Sequence, residues 1–365
     1  MDQIKPDFKD KQSSQIPAMA GAVCPIPLTH SDRIVMGHGS GGKMAHELIK
    51  RVFQPYFENP SLNTGDDAAI LPVSTGSRLA ISTDSHVVWP LFFPGGDIGR
   101  LAVCGTVNDV AVMGAQPLFL TAGFILEEGL EVEVLHQVLA SMQTAAEEAG
   151  VKIVAGDTKV VQKGKADGVY INTTGVGQIP PETNIHGANA QPGDSVIISG
   201  SIGDHGIAVL QARGELGFSS EIKSDVSPLN KMIAELLQSG LRVHVMRDPT
   251  RGGLATTLNE IARQSQVGIH LEEKAIPIHK EVASACEMLG FDPLYIANEG
   301  KVICIVAPED ADLVLECLHN HPYGREAARI GEVRESPPGR VLVRTAIGSQ
   351  RIVDMLSGEI LPRIC

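Results

Sequence analysis

The sequence predicts two domains of mixed helix and strand, α+β or α/β in class, on three observations. At 365 residues the chain is long enough for two cores of ordinary size. From Arg78 onward, stretches of strand character alternate with stretches whose apolar residues recur at helical spacing. The turn-rich run "PPETNIHGANAQPGD", residues 180–194, then interrupts that alternation and marks the boundary.

Before the boundary, "RLAISTDSHVV" reads as strand and "IGRLAVCGTVNDVAVMG" as a helix apolar on most sides. "PLFLTAGFIL" is strand, and "EVEVLHQVLASMQTAAEEAG" is an amphipathic helix closed by Gly150. "VKIVAGDTKVV" and "GVYINTTGVGQI" are strands. After the boundary come strand "SVIISGSIG", helices through "HGIAVLQARG" and "SPLNKMIAELLQSG", the turn "RDPTRGG" and helix "LATTLNEIARQ". Strand "IHLEE", helix "EVASACEMLG", strand "KVICIVAP" and helix "ADLVLECLHN" follow. The expected division is an arm over 1–33, domains over 34–182 and 190–345, and a mobile tail over 346–365. Fully extended, those last 20 residues reach roughly 65 Å. The arm is read as poorly ordered; its leader-like run "IPAMAGAVCPIPL" is broken by three prolines and preceded by three aspartates.

A formal charge of −13 without a basic block argues against nucleic acid and anionic membrane as partners. No stretch approaches the roughly 20 apolar residues of a membrane span. Six cysteines (24, 104, 286, 304, 317 and 365), none in a C-x-x-C pair, disfavour a zinc site or disulfide framework and suit a reducing cytoplasm. Cys365 ends the sequence as "EILPRIC", whereas a prenylation signal sets its cysteine four places from the end.

"GHGSGGKM", residues 37–44, approaches a phosphate-cradling loop, but Met44 stands where magnesium needs a hydroxyl; a ligand-covering loop or a plain loop remains. Five aspartates lie at turns, strand ends or within an apolar helix: Asp66 and Asp67 in "TGDDAAI", Asp84, Asp109 and Asp157. Each alone reads as a cap or turn former. Together they are the donor type for a shared hard cation with substrate phosphates, and Asp109 in its apolar helix needs a partner in any case. Lys159, two residues past Asp157, falls on the same strand face; it is either an exposed lysine or a phosphate ligand. "RDPTRGGL" suits a helix N-terminus that offers N–H groups to anions. Glu299 in "NEG" reads by default as a solvated turn glutamate.

These pieces together resemble the HypE family of hydrogenase maturation proteins, a branch of the AIR synthase (PurM-like) ATP-binding superfamily. The resemblance rests on "GHGSGGKM", "GDDAAI", "TDSHVVWPLFFPGGDIGRLAVCGTVNDVAVMGAQP", "AGDTKVV", "SGSIGDHGIAVL", "RDPTRGGLATTLNEIA", "IANEGK" and the closing "PRIC". It implies an α+β PurM-like two-domain fold: an N-terminal ATP-binding domain dimerising through a shared sheet, a C-terminal domain and a flexible tail. It further implies that the carbamoyltransferase HypF loads a carbamoyl group onto Cys365. ATP-dependent dehydration then gives a thiocyanate, and the cyano group passes to iron on the HypC–HypD scaffold as a cyanide ligand of [NiFe]-hydrogenase. Asp66, Asp84, Asp109 and Asp157 would hold Mg²⁺–ATP, with Asp67, Asn108, Gly156 and Thr158 shaping the site. Glu299 would be the base and Lys159 would polarise the carboxamide oxygen or steady the departing charge, which requires the tail to insert beside both. The competing readings are a superfamily kinase or synthetase acting on a free small molecule, and a non-enzymatic thiol or metal carrier.

Overall fold

The computed structural model describes residues 42–48, 50–51, 66, 69–72, 78–214, 221–358, 360–361 and 363–365. The arm over 1–33, most of the glycine-rich loop, Asp67 and Cys24 lie outside them.

The described chain opens with a short helix, α1 (Lys43–Leu48), followed by strands β1 (Ala69–Pro72) and β2 (Arg78–His86) and a small hairpin of β3 (Phe92–Phe93) and β4 (Gly96–Asp97). Helix α2 (Ile98–Val112) starts at Asp97, whose carboxylate accepts the N–H groups of Gly99 and Arg100 at 2.7 and 3.1 Å. Because 13 of its 15 residues are buried, α2 is a core helix covered on every side, as its all-round apolar sequence requires. Then come β5 (Gln116–Glu127), helix α3 (Val132–Ala149) ended by left-handed Gly150, β6 (Lys152–Val161) and β7 (Val169–Ile179). The sheet order is β1-β2-β7-β5-β6, antiparallel except for β5 with β6. Helix α2 lies close on β7 because Gly175 and Gly177 lack side chains; a Cβ at Gly177 would stand 2.4 Å from a Val110 methyl.

The second domain contains β8 (Ser195–Ile198), α4 (Asp204–Ala212), α5 (Asn230–Gln238), β9 (Val243–Arg247), α6 (Gly253–Ser265) and β10 (Gly268–Glu272). It continues with α7 (Lys280–Leu289), β11 (Ile303–Val306), α8 (Ala311–His319), β12 (Ala328–Arg334), β13 (Arg340–Arg344) and β14 (Gln350–Val353). Its seven strands run in the order β14-β13-β10-β12-β8-β11-β9. The α+β expectation holds, and the turn-rich run does separate the two sheets. Strands β9, β12 and β13 were not assigned from sequence, and the segment expected to be mobile from 346 instead begins by adding β14 to this sheet. Met355, Leu356, Leu361, Ile364 and Cys365 beyond it are buried. Ile360 packs against the core, while Ile352 of β14 is 58% exposed.

The two domains share one hydrophobic cluster. It joins α2 and α3 to Ile207–Leu210 of α4, Val282 and Cys286 of α7, and Leu361, Ile364 and Cys365. Asn108 ties the joint: its amide nitrogen donates to the carbonyls of Ser227 (3.0 Å) and Glu299 (3.4 Å), and its oxygen accepts the Leu229 N–H (2.8 Å). Replacing Asn108 with Ala would strand three buried backbone groups, so denaturant unfolding should show a loss of about 2–4 kcal/mol. An unchanged midpoint would remove Asn108 from the domain joint.

Candidate active site

The tail returns to the first domain as a short antiparallel addition to residues 87–89. The Val87 N–H donates to a main-chain carboxylate oxygen of Cys365 and the Trp89 N–H to the Arg363 carbonyl, both at 3.1 Å. Between them, fully buried His205 donates from Nε2 to the Ile364 carbonyl (2.6 Å), its Nδ1 accepting from the Ser224 hydroxyl (2.8 Å). This seats the Cys365 thiol, 6% exposed, in the joint between the domains.

The groups around that thiol come from four places in the sequence. Arg251, from the turn before α6, hydrogen-bonds the thiol and lies 3.9 Å from Asp84. Glu299, from the loop before β11, is 4% exposed, and its Oε1 is buried without a hydrogen-bond partner. Asp84 and His86 come from the end of β2, with His86 Nε2 3.6 Å from Asp84 Oδ2. Gly105 of α2 keeps the space between them open: a Cβ there would meet His86 Cε1 at 3.2 Å, Asp84 Oδ2 at 3.6 Å and Glu299 Oε2 at 4.0 Å.

The electrostatics follow from burial. Removal from water pushes the Cys365 thiol far up, with Glu299 and Asp84 adding to the rise and Arg251 opposing it, so the seated thiol is neutral. Glu299 is raised well above the usual carboxylate range, first by burial and then by Asp84, Asp225 and Asp248, against Arg251. Burial lowers His86 and keeps it neutral. Asp248 is pushed up to about 6, again chiefly by burial.

The Glu299 loop is fixed from below by Asp225. This carboxylate accepts the N–H groups of Glu299 and Gly300 (3.1 and 3.2 Å) and pairs with buried Lys301 (3.0 Å). Burial acts to raise Asp225, yet Lys301 and these donors hold it below the usual range.

Of the residues expected from sequence, Glu299, Asp84 and Cys365 come together, which corrects the solvated-turn reading of Glu299. Asp109 finds its partner in the Ser82 hydroxyl (2.6 Å). Asn108 has its amide committed to the domain joint rather than to a ligand. Asp66 is held elsewhere, by His186 (3.0 Å) and the Gly187 N–H (3.2 Å).

Gly156, Asp157, Thr158 and Lys159 lie on β6, the exposed edge of the first sheet. Pairing register carries Ser85 through Asn172 and Gly123 to Asp157, so Asp157 is three strand spacings, roughly 14 Å, from β2. Directly opposed residues share a face and adjacent residues along a strand do not, so Asp157 lies on the face of Ser85 and points away from the face carrying Asp84 and His86. The expected four-aspartate cation site therefore does not form within one chain. Among the described residues no three His, Cys, Asp or Glu converge as metal ligands. Lys159, in register with position 87 across the same three spacings, pairs with Asp157 (2.6 Å) instead of reaching Cys365. Gly156 has a packing reason: a Cβ would stand 2.6 Å from the Ala122 carbonyl. Thr158 gives its N–H to Asp157 (2.8 Å).

Sequence reasoning passed over His86, Gly105, Asp225, Arg251, His205 and Lys301. The alternation in "TDSH" does put His86 on the Asp84 face, and that signal was there to be used. Nothing in "KSDVS" marks Asp225.

Comparison with known proteins agrees with this architecture. Residues 65–179 match the N-terminal domain, and 191–344 the C-terminal domain, of AIR synthase related protein. The carbamoyl dehydratase HypE of Cupriavidus necator is 55% identical over 335 residues, 92% of this chain and 95% of that protein. A crystal structure of a HypE–HypF complex superimposes with a TM-score of 0.80 at 51% identity, covering 85% of this chain and 99% of that one. HypE in complex with ATP gives 0.77 at 50% identity, covering 91% and 100%. Two AIR synthase related domains and identity above half along nearly the whole length make this chain a member of the HypE family within the AIR synthase superfamily.

Proposed function

We propose that the chain is an ATP-dependent carbamoyl dehydratase that converts a carbamoyl group on Cys365 into a thiocyanate during hydrogenase maturation. The observation that carries the reading is Glu299 Oε1, buried and without a partner, in the pocket that seats the Cys365 thiol. A carboxylate is costly to leave there unless a ligand uses it.

Dehydration of S–C(=O)–NH₂ removes the oxygen and both nitrogen protons. ATP, when bound, supplies the phosphoryl group that makes this oxygen a phosphate leaving group. Glu299 takes one proton from the nitrogen, the other leaving with the departing phosphate, and its raised pKa makes it a stronger base than an exposed glutamate. Arg251 holds the sulfur and offsets the surrounding carboxylates. Burial of residues 361 and 364–365 keeps water from the nitrile once formed. Because the acidic set does not fit a cation within one chain, no step is routed through Mg²⁺, and Lys159 receives none. The HypE–HypF relative supports HypF as the loading partner, and delivery to iron on HypC–HypD follows from the same family reading.

The same reading includes a homodimer. Edge strand β6 is exposed along its length with Val154 and Val160 at 57% and 68%, and Phe119 and Ile125 of β5 are also uncovered. The double variant Val154→Lys, Val160→Lys should run as a monomer by light scattering where the parent is a dimer; a monomeric parent would sink the dimer.

Incubation with HypF, carbamoyl phosphate and MgATP should first add a carbamoyl group to Cys365 and then remove one water, read by intact-protein mass. Glu299→Gln should stop at the carbamoylated protein. An unmodified Cys365 with active HypF would move the reading to a superfamily kinase or synthetase. Glu299 must lose its proton to act, so the dehydration rate of preloaded protein should rise with pH through its raised pKa and then level off. A rate that falls over that rise would exclude Glu299 as the base.

A further inference from the structure

Two side chains that border the hollow at Gly105 each keep one polar atom buried and without a hydrogen-bond partner: Glu299 its Oε1 and His86 its Nδ1. The first belongs to the proposed base. The second is as deeply enclosed, His86 being 1% exposed, and a polar atom left in that state calls for a ligand.

The hydrogen bonds on the far side of the imidazole decide which form Nδ1 takes. Thr173 is fully buried and gives its one hydroxyl proton to the Ala102 carbonyl (3.0 Å), which can only accept. Thr106 therefore donates to Thr173 (2.6 Å), and so does His86 from Nε2 (3.5 Å). Asp84 Oδ2, 3.6 Å from the same nitrogen, favours a proton there as well. Because burial keeps the ring neutral, Nε2 holds its only proton and Nδ1 is a bare acceptor.

Nδ1 is the ring atom next to Cε1, and Cε1 would stand 3.2 Å from a Cβ at Gly105, with Glu299 Oε2 at 4.0 Å from the same point. The residue after His86 holds the Cys365 carboxylate through its N–H, so the terminal residue lies alongside. An imidazole nitrogen and, once ionised, a glutamate oxygen thus offer two acceptors over one hollow. A primary carboxamide on the Cys365 sulfur presents two N–H donors on a single nitrogen, which is the complement of this pair. A carboxylate there would bring acceptors to acceptors, and an N-alkyl amide would leave one acceptor unmet.

We propose that His86 is a substrate-binding, specificity-determining residue: its Nδ1 accepts one N–H of the S-carboxamide on Cys365 while Glu299 faces the other. The inference rests on the dehydratase reading and adds to it the orientation of the substrate. His86 takes no proton; with the NH₂ end fixed between the two acceptors, the carboxamide oxygen is turned away from them, free to be phosphorylated.

The first test needs neither nucleotide nor turnover. Full-length protein carrying histidine labelled with heavy nitrogen is compared by NMR before and after cyanate adds a carbamoyl group to Cys365, with loading followed by peptide mass. The His86 ring is assigned by its loss in His86→Asn or His86→Gln. Before loading, the ring should be protonated on Nε2 alone; afterwards, the bare Nδ1 resonance should move toward the protonated range as it accepts an N–H. A proton on Nδ1, or a resonance indifferent to loading, overturns the proposal. The second test is single-turnover dehydration of preloaded protein with MgATP. An Asn oxygen can stand in for Nδ1 and a Gln side chain for Nε2, so His86→Gln should be about tenfold slower than His86→Asn, the worth of one hydrogen bond. Equal rates, or the opposite order, overturn it too and make His86 no more than a partner of Thr173. A parent that shows the Nδ1 shift yet never loses water would sink the dehydratase reading and leave the assignment of His86 standing.

Discussion

Burial of α2 on every side is the constraint on which the rest depends. A helix this apolar must be covered by both domains, and each covering element brings one piece of the site with it. The first sheet brings Asp84 and His86 to the Gly105 face, and Asn108 fastens the loop that carries Glu299. Once α2 is enclosed, Glu299 has no route to bulk water, and its raised pKa follows.

The carboxyl groups are then kept from collapsing the pocket by uneven neutralisation. Asp225 is matched by Lys301 and by two backbone N–H groups, so it stays charged and fixes the loop. Glu299 receives no such match at Oε1, and the cation that opposes its rise, Arg251, is shared with Asp84 and with the sulfur. Two carboxyl groups joined through one loop are thus pushed in opposite directions, Asp225 below and Glu299 well above the usual carboxylate range.

Much of the fold was legible because its signals are local. The apolar run of α2, the amphipathic period and Gly150 stop of α3, and the turn formers of 180–194 each act within a few residues. Strand β9 was missed because "VHVMR" is only five residues long and merges into the turn "RDPTRGG" that follows it. The site was legible only in its parts. Glu299 and Cys365 followed from resemblance, whereas the failure of Asp157 to join Asp84 rests on the pairing of four strands, β2, β7, β5 and β6. A one-residue change of register would reverse the face, and no local pattern fixes register across three neighbours. His205 was invisible for a related reason: its partner is a backbone carbonyl 159 residues away, which no side-chain pattern announces.

The proposed chemistry requires Cys365 to be protected during dehydration and reachable for loading, and the energetics of its seat are compatible with both. The main-chain hydrogen bonds contribute about 1 kcal/mol each. Burying Leu361 and Ile364 contributes roughly 2 kcal/mol apiece. Ordering five residues costs about 1–2 kcal/mol each, and the left-handed turn at Arg363 adds roughly 1. Gain and cost nearly cancel, so the tail is held by a margin of a few kcal/mol at most. A segment bound that weakly exchanges readily, whereas β14, hydrogen-bonded along its length to β13, stays. The hinge must therefore fall between Val353 and Leu361, where Gly358 meets nothing within 4 Å of its Cα substituent position. Everything before that point is tied to the second domain, and the residues after it are held by the seat alone, as the proposed alternation between loading and dehydration requires.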